Sequence, residues 1–173
     1  MKVKQIVLCA IFAALSAILS QVAIPIGVVP INLTHVSIFM AAGLLGAKRG
    51  ALSQLVFVLL GAFGAPVFSG FTGGLERLVG PTGGFILGYI LCAFAAGLII
   101  DRFGVSVKVL VAAMLAGWVV TYVPGILWFM RQMEVGFVQS LSLCVLPYLP
   151  GDAVKTVLCV VLIRRLRPAL RVE

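Results

Sequence analysis

Charge is scarce in this chain. Of its 173 residues only 10% are charged, against about 25% in a soluble domain. There are five acidic residues and one histidine. That shortage excludes most enzyme chemistry. A paired-carboxylate site needs two acids together, and only Asp152 falls within an apolar segment. His35 stands alone, so no histidine metal site exists, and no metal is expected. A serine nucleophile needs a general base beside it, and no GxSxG-type serine accompanies the one histidine. No glycine-rich segment has the spacing of a phosphate-binding loop, including Gly43-Leu-Leu-Gly-Ala-Lys48. An ATP-driven pump within one chain is therefore excluded. The four cysteines, Cys9, Cys92, Cys144 and Cys159, lack metal-like spacing and sit in apolar runs. They are expected to be buried free thiols with no disulfide. No cofactor is implied.

Apolar length is what the chain has. Apolar residues make up 62%, and the mean hydropathy is +1.23. Uncharged runs cover 5–47, 50–75, 78–100 and 109–130. The stretch 135–163 is interrupted only by Asp152 and Lys155. About 20 apolar residues cross a bilayer as a helix. The first run is long enough for two crossings, broken at Pro25, Gly27 and Pro30. Six spans follow, near 6–24, 31–47, 50–66, 83–100, 108–130 and 138–164. They must be helical, because only helices and closed barrels satisfy their backbone in lipid. The expected fold is an all-α integral membrane protein forming one domain over 1–173. The first helix has a basic start and an apolar core, but no clear small-residue cleavage site, so it reads as a retained span.

The formal net charge of +8 would suit nucleic acid, but its placement suits a membrane. With six spans, Lys2, Lys4, Lys48, Arg49, Arg102, Lys108, Arg164, Arg165, Arg167 and Arg171 fall on one side. Arg77 and Arg131 fall on the other. The excess of basic residues marks the cytoplasmic side, so both termini are expected there, and no nucleic acid is expected as a partner.

Four features interrupt regular helix or point inward. Asn32, Thr34 and His35 form a polar cluster after Pro30, near the outer membrane edge. Gly64 to Gly84 holds seven glycines with Pro66 and Pro81. Such a segment is no lipid-exposed helix, and it suits backbone that lines or closes a cavity. Helix 1 carries two AxxxA pairs, Ala10 with Ala14 and Ala13 with Ala17. Small residues four apart let another helix approach closely, either within the fold or from a partner. Asp152 and Lys155 lie three residues apart and so share one helix face. An ionisable side chain at membrane depth costs several kcal/mol unless it meets a partner or a polar cavity, so this pair marks an internal site. Pro147 and Pro150 precede it and put Asp152 in the first turn of a new helix.

An ordered set of motifs carries a resemblance over nearly the whole chain. It runs through Val29-Pro30-Ile31-Asn32-Leu33-Thr34, Ala42 to Gly50 and Gly64-Ala65-Pro66-Val67-Phe68. It continues through Gly73-Gly74, Gly80-Pro81-Thr82-Gly83-Gly84-Phe85, Tyr122, Gly125, Trp128 and Pro150-Gly151-Asp152-Ala153-Val154-Lys155. The set resembles BioY, the biotin-binding S components of energy-coupling factor transporters. Departures from the family pattern fall at Thr34, His35 and Thr72. The resemblance implies a substrate-capture protein of a prokaryotic cell membrane, not an enzyme. Its partners would be biotin, a membrane coupling subunit of the EcfT type and two cytoplasmic ATPases. The binding residues it implies are Asp152, Lys155, Thr72, Gly73, Gly74, Gly83, Gly84 and Thr34, beside Asn32. Phe68, Tyr122 and Trp128 would cover the apolar ring. Lys155 would meet a polar group of the ligand, most simply the carboxylate. The docking face would be Ala10 with Ala14, or Ala13 with Ala17. An S component for riboflavin or thiamine, or a stand-alone secondary carrier, are the alternatives.

Overall fold

The computed structural model describes residues 3–24 and 29–170. Pro25 and Gly27 of the expected break, and Lys2 and Arg171 of the basic set, lie outside the described residues. Eight helices and one short hairpin make up the described chain. They are α1 (Val3–Gln21), β1 (Ala23–Ile24), β2 (Ile31–Asn32), α2 (Thr34–Leu45), α3 (Ala47–Ala62), α4 (Leu75–Val79), α5 (Gly83–Phe103), α6 (Val107–Met133), α7 (Phe137–Cys144) and α8 (Leu149–Leu170).

The centre of the bundle is α2. All twelve of its residues are buried, and α1, α3, α5 and α8 pack around it. A helix enclosed by others need not match lipid thickness. This explains why the expected span 31–47 is realised as 12 residues, too short to cross a bilayer alone. The next, expected at 50–66, is a 16-residue helix that continues into the glycine-rich loop. Three helices, α1, α5 and α6, are long and apolar enough to cross a membrane. The pair α7 and α8 would be a fourth, bent by 52° at the break between them.

Turns and glycines fix the joints. Gly46 separates α2 from α3 with φ +83°, a left-handed conformation that glycine adopts without strain. Asp101, at the end of α5, accepts a 2.8 Å hydrogen bond from the Ala47 amide and so satisfies one open donor at the α3 N-terminus. At Gly97 a Cβ would lie 2.5 Å from the Ala47 Cα, so only glycine lets α5 cross the α2–α3 joint this closely. β1 and β2 pair antiparallel, Ala23 with Asn32 and Ile24 with Ile31. Their pairing carries the chain from α1 into α2 and fixes Asn32 beside the Thr34 amide. As the prolines lead one to expect, α8 restarts at Leu149 with Asp152 in its first turn.

Candidate functional site

Two adjoining cavities lie where the N-terminal ends of α2, α5 and α8 meet α6. They share Val29, Pro30, Asn32, Phe85 and Tyr89 in their walls. The outer one has an empty volume of about 530 Å³ and adds Thr34, Phe57, Phe68, Ser69, Thr72, Arg77 and Thr82. The inner one, about 370 Å³, adds His35, Trp118, Tyr122, Cys144, Tyr148, Asp152 and Lys155.

The inner cavity is built on a desolvated charge pair. Lys155 Nζ lies 3.0 Å from Asp152 Oδ1, and the two residues are 6% and 4% exposed. The Tyr122 hydroxyl donates to Asp152 Oδ2. Lys155 also sits 5.7 Å from the centre of the Trp118 ring, within cation–π range. The Trp118 indole N–H donates to Thr156 Oγ1 at 3.2 Å, and Thr156 in turn donates to the Asp152 carbonyl at 2.8 Å. This network fixes the carboxylate on one side while Lys155 keeps protons free for another acceptor. Around it stand aromatic faces. His35 lies 4.2 Å from Trp118 and 5.1 Å from Tyr89, centre to centre, and Trp118 stacks on Tyr122 at 5.8 Å. The Tyr148 hydroxyl donates to the Val29 carbonyl, tying the α7–α8 joint to the chain just before β2.

Two polar atoms in these walls have no hydrogen-bond partner among the described residues. They are Thr34 Oγ1 and His35 Nε2, both buried. Buried polar groups are nearly always paired, so each unpaired one calls for an explanation. Here one lines the outer cavity and the other the inner, and a ligand with polar atoms would satisfy both. Asn32, by contrast, is engaged. It donates to Ser69 Oγ at 2.8 Å and accepts from the Thr34 amide at 3.1 Å.

The expected site residues separate into two sets. Asp152, Lys155, Tyr122, Asn32, Thr34, Thr72 and Phe68 line the cavities. Gly73, Gly74, Gly83, Gly84 and Trp128 stand behind them. The Gly74 amide donates to the Gly61 carbonyl at 2.7 Å and the Gly83 amide to Gly80 at 3.0 Å. A Cβ at Gly83 would fall 1.8 Å from the Leu78 carbonyl oxygen, and one at Gly84 2.4 Å from the Trp128 Cβ. Trp128 donates to the Gly80 carbonyl at 2.9 Å, strapping the α4–α5 turn to α6. Gly73 borders a neighbouring hollow with Thr72, Arg77 and Thr82. On α1, Ala10 and Ala14 are exposed, Ala17 is half-buried and Ala13 is in the core.

The BioY family model matches residues 1–172. The chain belongs to the BioY family. It is 40% identical to "Probable biotin transporter BioY" of Pyrococcus horikoshii, over 96% of this chain and 98% of that one. It is 36% identical to the biotin transporter BioY of Thermotoga maritima, over 95% and 96%. Among solved structures it resembles the S-component for biotin from an ECF-type ABC transporter. That match has a TM-score of 0.88 and 34% identity, covering 96% of this chain and 92% of that one.

In this BioY-family chain several cavity residues escape sequence reasoning. Trp118 and Tyr89 fall inside uncharged runs and read there as ordinary span residues. A signal existed for Trp118. Tryptophan is enriched at membrane interfaces, and this one lies near the middle of its run. Phe85 stands in the motif set without a role assigned to it, and Tyr148 carries no such mark. Arg77 reads as a topology charge, yet it lines the outer cavity and takes part in no ion pair among the described residues.

Proposed function

We propose that this chain is the biotin-capturing S component of an energy-coupling factor transporter, a binding subunit rather than an enzyme. One observation carries the reading. A buried Asp152–Lys155–Tyr122 network opens onto a cavity that also holds the unpartnered His35 Nε2, and the adjoining cavity holds the unpartnered Thr34 Oγ1. Biotin offers a ureido carbonyl, two ureido N–H groups, an apolar bicycle and a carboxylate tail. The inner cavity suits the bicycle, packed among Trp118, Tyr89 and His35. There Asp152 can accept from a ureido N–H, and Lys155 and His35 face its remaining polar atoms. The tail then runs into the outer cavity toward Thr72 and Arg77, whose guanidinium suits a carboxylate.

The same reading makes 1–173 one membrane domain that crosses six times, with α2 and α3 as the two short crossings and both termini cytoplasmic. The ten-against-two distribution of basic residues supports that orientation. A membrane coupling subunit and two cytoplasmic ATPases would drive release inward, docking on the exposed Ala10–Ala14 face. Calorimetry of the detergent-solubilised protein with biotin, riboflavin and thiamine tests the substrate. Tight biotin binding with no heat from the other two is the expected result. Tight binding of another vitamin instead rejects biotin. Lys155→Ala removes the cation whose free protons face the ligand and leaves Asp152 a buried carboxylate without its partner. Biotin affinity should fall by roughly two to three orders of magnitude, and an unchanged affinity would sink the site.

A further inference from the structure

Another cavity lies at the opposite ends of α2 and α5 from the ligand site. It has an empty volume of about 1240 Å³. Its polar wall is formed by Lys48, Arg49, Arg167 and Asp101. Asp101 is already engaged, since its Oδ2 accepts from the Ala47 amide at 2.8 Å. It pairs with no cation among the described residues. Arg167 Nη1 is buried and has no hydrogen-bond partner among the described residues. A buried guanidinium N–H beside two further cations suits an anion with several oxygens, such as a phosphate.

The apolar wall indicates what else the ligand carries. Phe94 and Leu98 of α5 line the cavity. Leu91 and Leu87 continue their line up the helix at steps of three and four, and all four are 41–52% exposed. That spacing places them on one helix face. On a membrane span, an exposed apolar face meets acyl chains. Cations stand where this stripe ends, an arrangement that matches a phospholipid, with its phosphate at the end of its chains.

We propose that this cavity is a binding site for an anionic phospholipid, with the phosphate held by Arg49, Arg167 and Lys48 and an acyl chain laid along the α5 stripe. Basic pockets between spans on the cytoplasmic side hold lipid head groups in this way. Inorganic phosphate shares the head-group chemistry but cannot use the stripe.

The test is thermal unfolding of the delipidated full chain in neutral detergent, with phosphatidylglycerol, phosphatidylcholine or inorganic phosphate added. Lipid well above its Kd should raise the Tm by about 5 °C with phosphatidylglycerol, and by much less with the other two. Arg49→Gln with Arg167→Gln should abolish that preference. Arg164→Gln with Arg165→Gln removes the same charge from exposed positions of α8 and should keep it. Equal shifts from the two lipids overturn the proposal, as does a preference that survives Arg49→Gln with Arg167→Gln. So does a preference lost equally in the Arg164, Arg165 pair, which marks general surface attraction. A full shift with phosphate alone replaces the lipid with a soluble anion. If the cavity variant gives no cooperative melt, native mass spectrometry of the wild type decides. Retained phosphatidylglycerol without retained phosphatidylcholine supports the site, and equal loss of both rejects it. None of these readouts depends on biotin, so this inference can fail while the ligand assignment stands.

Discussion

At the scale of single residues, the site combines a satisfied pair with unsatisfied neighbours, and the two respond to substitution in opposite ways. Thr34 Oγ1 is buried with no partner among the described residues. An unmet buried hydroxyl costs about 1–3 kcal/mol. Thr34→Val removes that cost in the empty protein and removes a ligand contact in the filled one. The expected outcome is a higher Tm without biotin together with weaker biotin binding by calorimetry. A lower Tm in the empty state would show that the hydroxyl has a partner. Arg77 decides which way the ligand lies. Hydrogen bonds to charged groups are worth about 1.5–3 kcal/mol. If the tail meets this guanidinium, Arg77→Gln weakens biotin by roughly 10–100-fold and leaves biotin methyl ester almost unaffected. An equal effect on both compounds would return the carboxylate to Lys155. The charge pair was legible in the sequence because charge inside an apolar stretch needs a reason. Arg77 was not, because a cation between two spans has an ordinary reason already, and only the folded chain turns it toward a cavity.

At the scale of elements, the loop between α3 and α5 is closed from outside by α1. Gln21, the last residue of α1, donates to the Phe68 carbonyl at 3.1 Å and to Pro66 at 3.4 Å, and its Oε1 accepts from the Phe71 amide at 2.8 Å. The Ser20 hydroxyl donates to the Val67 carbonyl beside them. These contacts hold down the segment whose Phe68, Ser69 and Thr72 wall the outer cavity. Gln21→Ala removes the side-chain contacts of one residue, each worth about 1 kcal/mol. Hydrogen exchange should quicken across 66–72, and biotin should dissociate several-fold faster with little change in its association rate. Unchanged exchange in that segment would show that the loop holds its shape without α1. The sequence marked this segment as irregular through its glycines and prolines. It did not mark the clamp, because a glutamine at a helix end is common and the loop groups it holds lie more than forty residues away. Run length found the long apolar helices α1, α5 and α6, whereas the expected spans 31–47, 50–66 and 138–164 are shorter or broken. Run length counts apolar residues and cannot tell a lipid-facing span from one enclosed by its neighbours, so α2 came out shorter than its apolar stretch.

At the scale of the whole molecule, α1 faces two ways. Its inner side holds Ser16, whose hydroxyl lies 2.9 Å from Ser37 Oγ and 3.0 Å from Gln54 Oε1, so buried polar contacts join α1 to α2 and α3. Its outer side carries Ala10 and Ala14 among the exposed Val7, Ile11 and Ile18. Composition left two AxxxA pairs open, and burial separates them, since Ala13 is only 2% exposed. A large side chain at position 14 would therefore meet only what lies outside the molecule, and one at position 13 would meet the core. Ala14→Trp should leave biotin affinity and Tm within error of the wild type. Uptake by cells that also carry the coupling subunit and ATPases should fall to background, because small-residue faces work by close helix approach. Ala13→Trp should instead lower the Tm through overpacking, by about 1–3 kcal/mol of stability, whether or not a partner is present. The comparison of the two variants isolates docking from folding. Full uptake with Ala14→Trp would move the partner's contact to another face of the bundle and leave the biotin site as it stands.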